Sequence, residues 1–166
     1  MIKLEQWFDS LETGKPFDTC RICVQSLRET ADSWIVNKHY HREECILEYA
    51  ICEGCRKDFS GRFSEASKAE IRSFLESEID WEARLLEWMA LDQPAEKLDH
   101  CVACRTSRTG IDGFTLSAQF NGDGTLINGA LPLLLCSGCV GNITSRLSDE
   151  SQKVWQDFIS DYFEGL

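Results

Sequence analysis

Cys52-Glu-Gly-Cys55-Arg-Lys-Asp-Phe59-Ser-Gly-Arg62-Phe63-Ser64 returns 84 residues later as Cys136-Ser-Gly-Cys139-Val-Gly-Asn-Ile143-Thr-Ser-Arg146-Leu147-Ser148. Gly54 matches Gly138, Arg62 matches Arg146 and Ser64 matches Ser148. Phe59 and Phe63 are matched by the apolar Ile143 and Leu147, and Phe74 by Phe158. Upstream, Cys20-Arg-Ile-Cys23 precedes the first pair by 28 residues, and Cys101-Val-Ala-Cys104 precedes the second by 31. Self-similarity at a fixed offset marks a duplicated unit.

Eight of the nine cysteines thus form four C-x-x-C pairs, and Cys45 stands alone. Two thiolates at this spacing can converge on one cation, and two such pairs fill the tetrahedral shell that structural zinc prefers. A redox dithiol accounts for one such pair, not for four in matched sets. The spacing therefore predicts two four-cysteine metal sites, most simply Cys20, Cys23, Cys52 and Cys55 in one copy and Cys101, Cys104, Cys136 and Cys139 in the other. Pairing across copies stays open. Two Zn2+ are expected, with iron as the alternative that spacing does not separate. Cys45 aligns with Gly129 and reads as a small strand residue. His39 and His41 have no counterparts and read as a polar strand face, since four thiolates already complete a zinc shell.

Composition sets further limits. At 166 residues and 43% hydrophobic content, the chain is long enough for a packed globule. Its 17 basic against 28 acidic residues leave a net charge of −11, which argues against neutralising a phosphate backbone as its main work. Eight thiolates holding two Zn2+ would add four more negative charges. No apolar run approaches the length of a membrane span; Ala130–Cys136 is among the longest. Reduced cysteines and a start without a signal-peptide core lead to the expectation of a soluble cytoplasmic protein.

Periodicity places the motifs. Residues 3–12 predict an amphipathic helix through Leu4, Trp7, Phe8 and Leu11, ended by Gly14 and Pro16. Strand-like runs follow at Ser33–His39 and Ile46–Cys52. In the second copy Phe114, Leu116, Ala118 and Phe120 share a face, Asn121-Gly-Asp-Gly124 supplies a turn and Thr125–Asn128 returns. Each second cysteine pair opens a helix. Ser64 or Ser67 caps a longer one over 64–91, with Ser67-Lys-Ala-Glu70 as a capping-box pattern and Ile71, Phe74, Leu75, Ile79, Leu85, Leu86 and Met89 as its stripe. Ser148 caps the last, whose stripe is Val154, Trp155, Phe158, Ile159, Tyr162 and Phe163. The copies divide near Pro94, into 1–94 and 95–166.

A C-x-x-C knuckle, a β-hairpin and a second C-x-x-C opening a helix resemble the treble-clef group of zinc fingers, over roughly residues 17–79 and 98–163. The resemblance implies an α+β fold of two tandem zinc modules joined by a long helix, with an extra N-terminal helix. Related knuckles commonly carry Gly after the second cysteine. Val24 and Arg105 stand there instead, and a β-branched residue at positive φ predicts a distorted first knuckle.

The resemblance is silent on function. A closed shell of four thiolates has no open position for water, so no catalytic residue is assigned, and His39, His41 and Asp112 read as solvated loop or strand positions. The reading that leads is a zinc-stabilised interaction or scaffold module without catalytic activity. It binds a protein partner, or itself through the 64–91 helix, where Trp81 and Trp88 broaden the apolar stripe. The alternatives are a nucleic-acid-binding regulatory protein, against which the thin basic content of 53–72 and 137–156 counts, and a thiol-based redox switch.

Overall fold

Strict alternation along Trp34, Val36 and Lys38, and along Phe114, Leu116, Ala118 and Phe120, builds two nine-residue strands that bury one face each. The computed structural model describes residues 3–30 and 32–163. After a 3-10 turn over Leu4–Phe8 come α1 (Leu27–Thr30), β1 (Ser33–His41), β2 (Glu44–Cys52), α2 (Glu53–Gly61), α3 (Glu65–Ser77) and α4 (Trp81–Ala90). Two further 3-10 turns, Pro94–Leu98 and Arg108–Gly110, lead into β3 (Gly113–Asn121), β4 (Leu126–Ile127), β5 (Leu133–Cys136), α5 (Ser137–Ser145) and α6 (Asp149–Tyr162). The fold is mixed α+β on an antiparallel sheet of order β2-β1-β3-β4, with β5 also pairing β3.

The central pair, β1 with β3, joins the two copies. Its register runs from Ser33 opposite Asn121 to His41 opposite Gly113, with Asn37 opposite Ser117 at the middle. Around that midpoint the contacts come in matched pairs. Trp34 stacks on Phe120 at 6.1 Å between ring centroids, and Tyr40 on Phe114 at 4.9 Å. Ser117 donates to Asn37 Oδ1 at 2.6 Å. The duplicated unit is thus arranged about a local two-fold axis, and one sheet runs through both copies.

The helices are exchanged about the same axis. α6, from the second copy, lies on the first: Phe158 is 5.4 Å from Tyr49 and 5.1 Å from Phe59, and Trp155 is 6.1 Å from Phe59. Reciprocally, α3 packs on α5, with the Arg146 guanidinium 6.0 Å from the buried Phe74 ring. Where the two helices start, their caps interlock. Ser64 Oγ accepts from the Ser67 amide at 3.1 Å and Ser148 Oγ from the Ser151 amide at 3.2 Å. The Ser148 amide donates to Ser67 Oγ and the Ser64 amide to Ser151 Oγ, both at 2.9 Å. Orphan amides of each helix are therefore satisfied partly by the other copy. Ser67 sits inside α3 as a fully buried partner, and Ser64 is the N-cap.

Three expected elements differ. The N-terminal helix over 3–12 is only the 3-10 turn Leu4–Phe8, and Leu11 is exposed. Lys38, buried in β1, donates its ammonium to the Asp9 carbonyl and pairs with Glu48 at 3.1 Å, while Glu48 accepts from the Leu11 amide at 2.8 Å. These contacts, with the turn that Gly14 N closes on the Ser10 carbonyl at 2.7 Å, take the backbone groups that a helix past Phe8 would need. The single helix over 64–91 is also broken. Ile79 turns into the interior and Asp80 caps the Ala83 amide at 3.0 Å, so α4 starts afresh. Of its expected stripe only Phe74 and Ile79 are buried; Leu85, Leu86 and Met89 face outward. In the second copy the return strand is split into β4 and β5, on either side of Gly129 and the cis Leu131–Pro132 bond.

Truncating Phe158 to Ala should cost about 3–5 kcal/mol, as for other buried aromatic side chains. Because α6 covers the first copy, hydrogen exchange should show protection lost in β1 and β2 as well as in α6. Loss confined to residues 101–163 would contradict the exchange.

Candidate metal centres

Each centre begins in a tight knuckle. The Cys20 amide donates to the Gln25 carbonyl at 3.0 Å and the Val24 amide to the Cys20 carbonyl at 2.9 Å. In the second copy Cys101 pairs with Thr106 at 2.9 Å and Arg105 with Cys101 at 3.0 Å. Both turns put the residue after the second cysteine in the left-handed region, Val24 at φ 62 and Arg105 at φ 65. The expected distortion of the first knuckle is therefore absent: it has the backbone of the second, with a β-branched residue held at positive φ. Each knuckle is tied to the sheet by a backbone bond, from Arg21 N to Ala50 O and from Val102 N to Leu134 O, both 2.8 Å.

The other two sulfurs come from the strand-to-helix junction. Cys52 ends β2 and caps α2, its sulfur accepting from the Cys55 amide at 3.5 Å; Cys136 ends β5 and caps α5, accepting from Cys139 at 3.4 Å. The junction amides also reach back to the knuckle, Cys52 N to Cys20 Sγ and Cys136 N to Cys101 Sγ, both at 3.4 Å. Amide donors and a helix N-terminus both favour the thiolate form.

Together these elements gather Cys20, Cys23, Cys52 and Cys55 into one group and Cys101, Cys104, Cys136 and Cys139 into another, the sulfurs of each within 4.8 Å of one another. Pairing is within copies. Sulfur separations of 3.9 Å (Cys23 to Cys52), 3.8 Å (Cys101 to Cys139) and 3.6 Å (Cys104 to Cys136) are far beyond a disulfide bond. They match the edge, about 3.8 Å, of a tetrahedron of sulfurs each about 2.3 Å from a central ion. The two groups could each hold a metal ion, and the donor set suits a soft, thiophilic cation.

The crowding shows in the acidities. At Cys20 burial opposes ionisation, but the amides of Cys23, Cys52 and Ile22 outweigh it and bring the thiol down to about 7. Cys104 is likewise brought down against burial to about 6, chiefly by the Thr106 hydroxyl and amide. Cys55 and Cys139 go the other way, pushed up by burial and by the thiols and thiolates beside them. In each group one sulfur ionises readily and another resists, held back first by burial and then by its neighbours.

The remaining candidates lie elsewhere. His39 is enclosed between Tyr49 and Trp155, its Nδ1 3.0 Å from the Thr115 hydroxyl, and burial lowers its pKa to about 4. His41 is exposed at the end of β1, and Asp112 is exposed with its carbonyl accepting from the Arg42 amide at 2.7 Å. Cys45 is half-buried in β2, and neither histidine joins a sulfur group. Nothing in the sequence announces the buried Lys38–Glu48 pair, because its strands read as ordinary polar alternation. A cleft of about 720 Å3 beside the first knuckle mixes Lys15, Arg21 and Arg28 with Glu12, Asp18 and Glu48, so its charges offset one another. No described helix is long and apolar enough to cross a membrane. No protein-family model, curated protein or solved structure matches the chain.

Replacing the exposed Val24 by Gly should raise stability by about 1 kcal/mol, since relief of left-handed strain of roughly 1–2 kcal/mol exceeds the added unfolded-state entropy. A melting temperature higher by about 2–4 °C is expected; a lower one would show that the strain is not there. His39 gives a pH dependence. The unfolded chain takes a proton near pH 6.5 and the folded one only near 4, so this contribution is full above 6.5 and is lost as pH falls toward 4. NMR titration of the His39 ring should find it neutral at pH 5.

Proposed function

We propose that the protein is a zinc-stabilised interaction or scaffold module, without catalytic activity, built from two treble-clef-like units in the cytoplasm. The observation that carries this reading is the closed donor set. In each unit four cysteine sulfurs at tetrahedral spacing complete the shell of one ion, with Cys20, Cys23, Cys52 and Cys55 as ligands of the first and Cys101, Cys104, Cys136 and Cys139 of the second. Such an ion supplies cohesion. It joins the knuckle to the strand end and the first helical turn, and it leaves no coordination position for a substrate or an activated water.

The chain's own groups prepare the grip. The amides of Cys52, Cys55, Cys136 and Cys139 point at sulfur and disperse its charge, and β2 and β5 deliver the second cysteine pair at the point where a helix begins. Zinc binding in small finger domains is worth ~10–16 kcal/mol, comparable to the whole stability of an ordinary domain. The metal would then be a condition of folding.

Elemental analysis of protein purified without added metal should return two zinc per chain. Prolonged chelation should abolish the cooperative unfolding transition, and zinc should restore it. Visible sulfur-to-iron charge-transfer absorption would transfer the assignment to iron. A chain freed of metal that keeps its full transition would refute the structural role.

A further inference from the structure

We propose that the outward face of α4 docks a basic amphipathic helix of a partner protein. This rests on the interaction-module reading above and names the surface and the chemistry of what it binds.

α2 corresponds to α5 and α3 to α6, and α4 follows α3 between the two copies. Its inner face is committed. The Arg84 guanidinium donates to the Gly129 carbonyl at 3.0 Å and to the Pro132 carbonyl, and it lies 5.1 Å from the Trp88 ring, with the Lys97 ammonium 4.8 Å from the same ring. The opposite face is not covered. Leu85, Leu86 and Met89 are 58%, 64% and 74% exposed, at positions i, i+1 and i+4 of one helix. A soluble chain that leaves three large apolar side chains together on one helix presents a contact surface, and Met is suited to adaptable packing.

Charge selects the occupant. Glu76, Glu78, Asp80, Glu82 and Asp92 are all exposed, and none has an ion-pair partner among the described residues. Glu87 is held by Arg105 at 2.5 Å, and Arg84, the one cation between residues 76 and 92, points inward. Glu82, one turn before Leu85 and Leu86 on α4, thus sets an unpaired carboxylate beside the apolar patch, and the segments flanking the helix add four more. A second copy meeting the patch face to face would bring two such sets of carboxylates together, at like-charge cost, on chains that each carry −11. This argues against the self-association expected of helix 64–91. A helix with apolar residues at i, i+3 or i+4 and i+7, flanked by Lys or Arg, matches both features.

The test uses the zinc-loaded full chain and three peptides of about 18 residues with helical pattern: Leu/Lys, Leu/Glu, and Ser/Lys of the same charge as the first. Binding is read by calorimetry and by amide chemical-shift mapping. The Leu/Lys peptide should bind at least about tenfold more tightly than either other peptide, with shifts concentrated in residues 75–92. The surface variant L85S/M89S, checked for two zinc and an unchanged melting temperature, should lose at least about tenfold, the equivalent of about 1.4 kcal/mol. Equal binding by the variant, equal binding by Ser/Lys, shifts centred elsewhere, or a dimer through this face by sedimentation would each overturn the proposal. A properly folded two-zinc protein that ignores the peptide would defeat the docking surface alone. A chain lacking zinc would defeat the module reading first.

Discussion

Four sulfurs crowded within 4.8 Å make a cluster that is weak as thiols and self-repelling as thiolates. The rest of the structure turns on how this conflict is resolved. Amides of Cys23, Cys52 and Ile22 ease ionisation at Cys20, and the Thr106 hydroxyl and amide do so at Cys104, while burial and neighbouring sulfurs push Cys55 and Cys139 the opposite way. A divalent cation at the centre would attract all four thiolates more strongly than they repel one another, and would so tie a turn, a strand end and a helix start together. Without it the knuckle would be held to the sheet by little more than the bonds from Arg21 and Val102.

The shared sheet joins the two sulfur groups into a single folded body. β1 and β3 pair along nine residues across the copy boundary, and α3 and α6 each pack on the other copy's short helix. The interlocked serines show how closely the copies depend on each other, because Ser67 and Ser151 complete the opposite helix's amide bonding rather than their own. A hydroxyl here is worth about the usual 1 kcal/mol of a cap, but its removal would leave a buried amide unpaired in the other copy. The arrangement is that of a symmetric dimer carried on one chain, with α4 following the first copy's α3.

The make-up of the sulfur groups was legible in short spacings, although their pairing within copies rather than across them came only with the fold. Cysteine spacing, the strand alternation of Phe114 to Phe120 and the cap at Ser148 are each set within a few residues, and each stands where the sequence places it. What failed to show was non-local. Alternation tells which face of β1 is buried but not that β3 is its neighbour, and a continuous apolar stripe hid the break at Ile79, where Ile79 is buried and Asp80 caps a new helix. The N-terminal segment misleads for the same reason. Its periodicity is helical, yet Lys38 and Glu48, distant in sequence, take its backbone groups. Val24 teaches a different lesson: steric preference disfavours its conformation, and the knuckle imposes it regardless.

The role assigned to the sulfurs is most directly tested by X-ray absorption at the zinc edge on the purified chain. The account predicts one shell of four sulfur scatterers at about 2.3 Å, averaged over two equivalent ions. A shell containing nitrogen or oxygen, or fewer than four sulfurs per ion, would contradict it, because one position would then be open and the clamp incomplete.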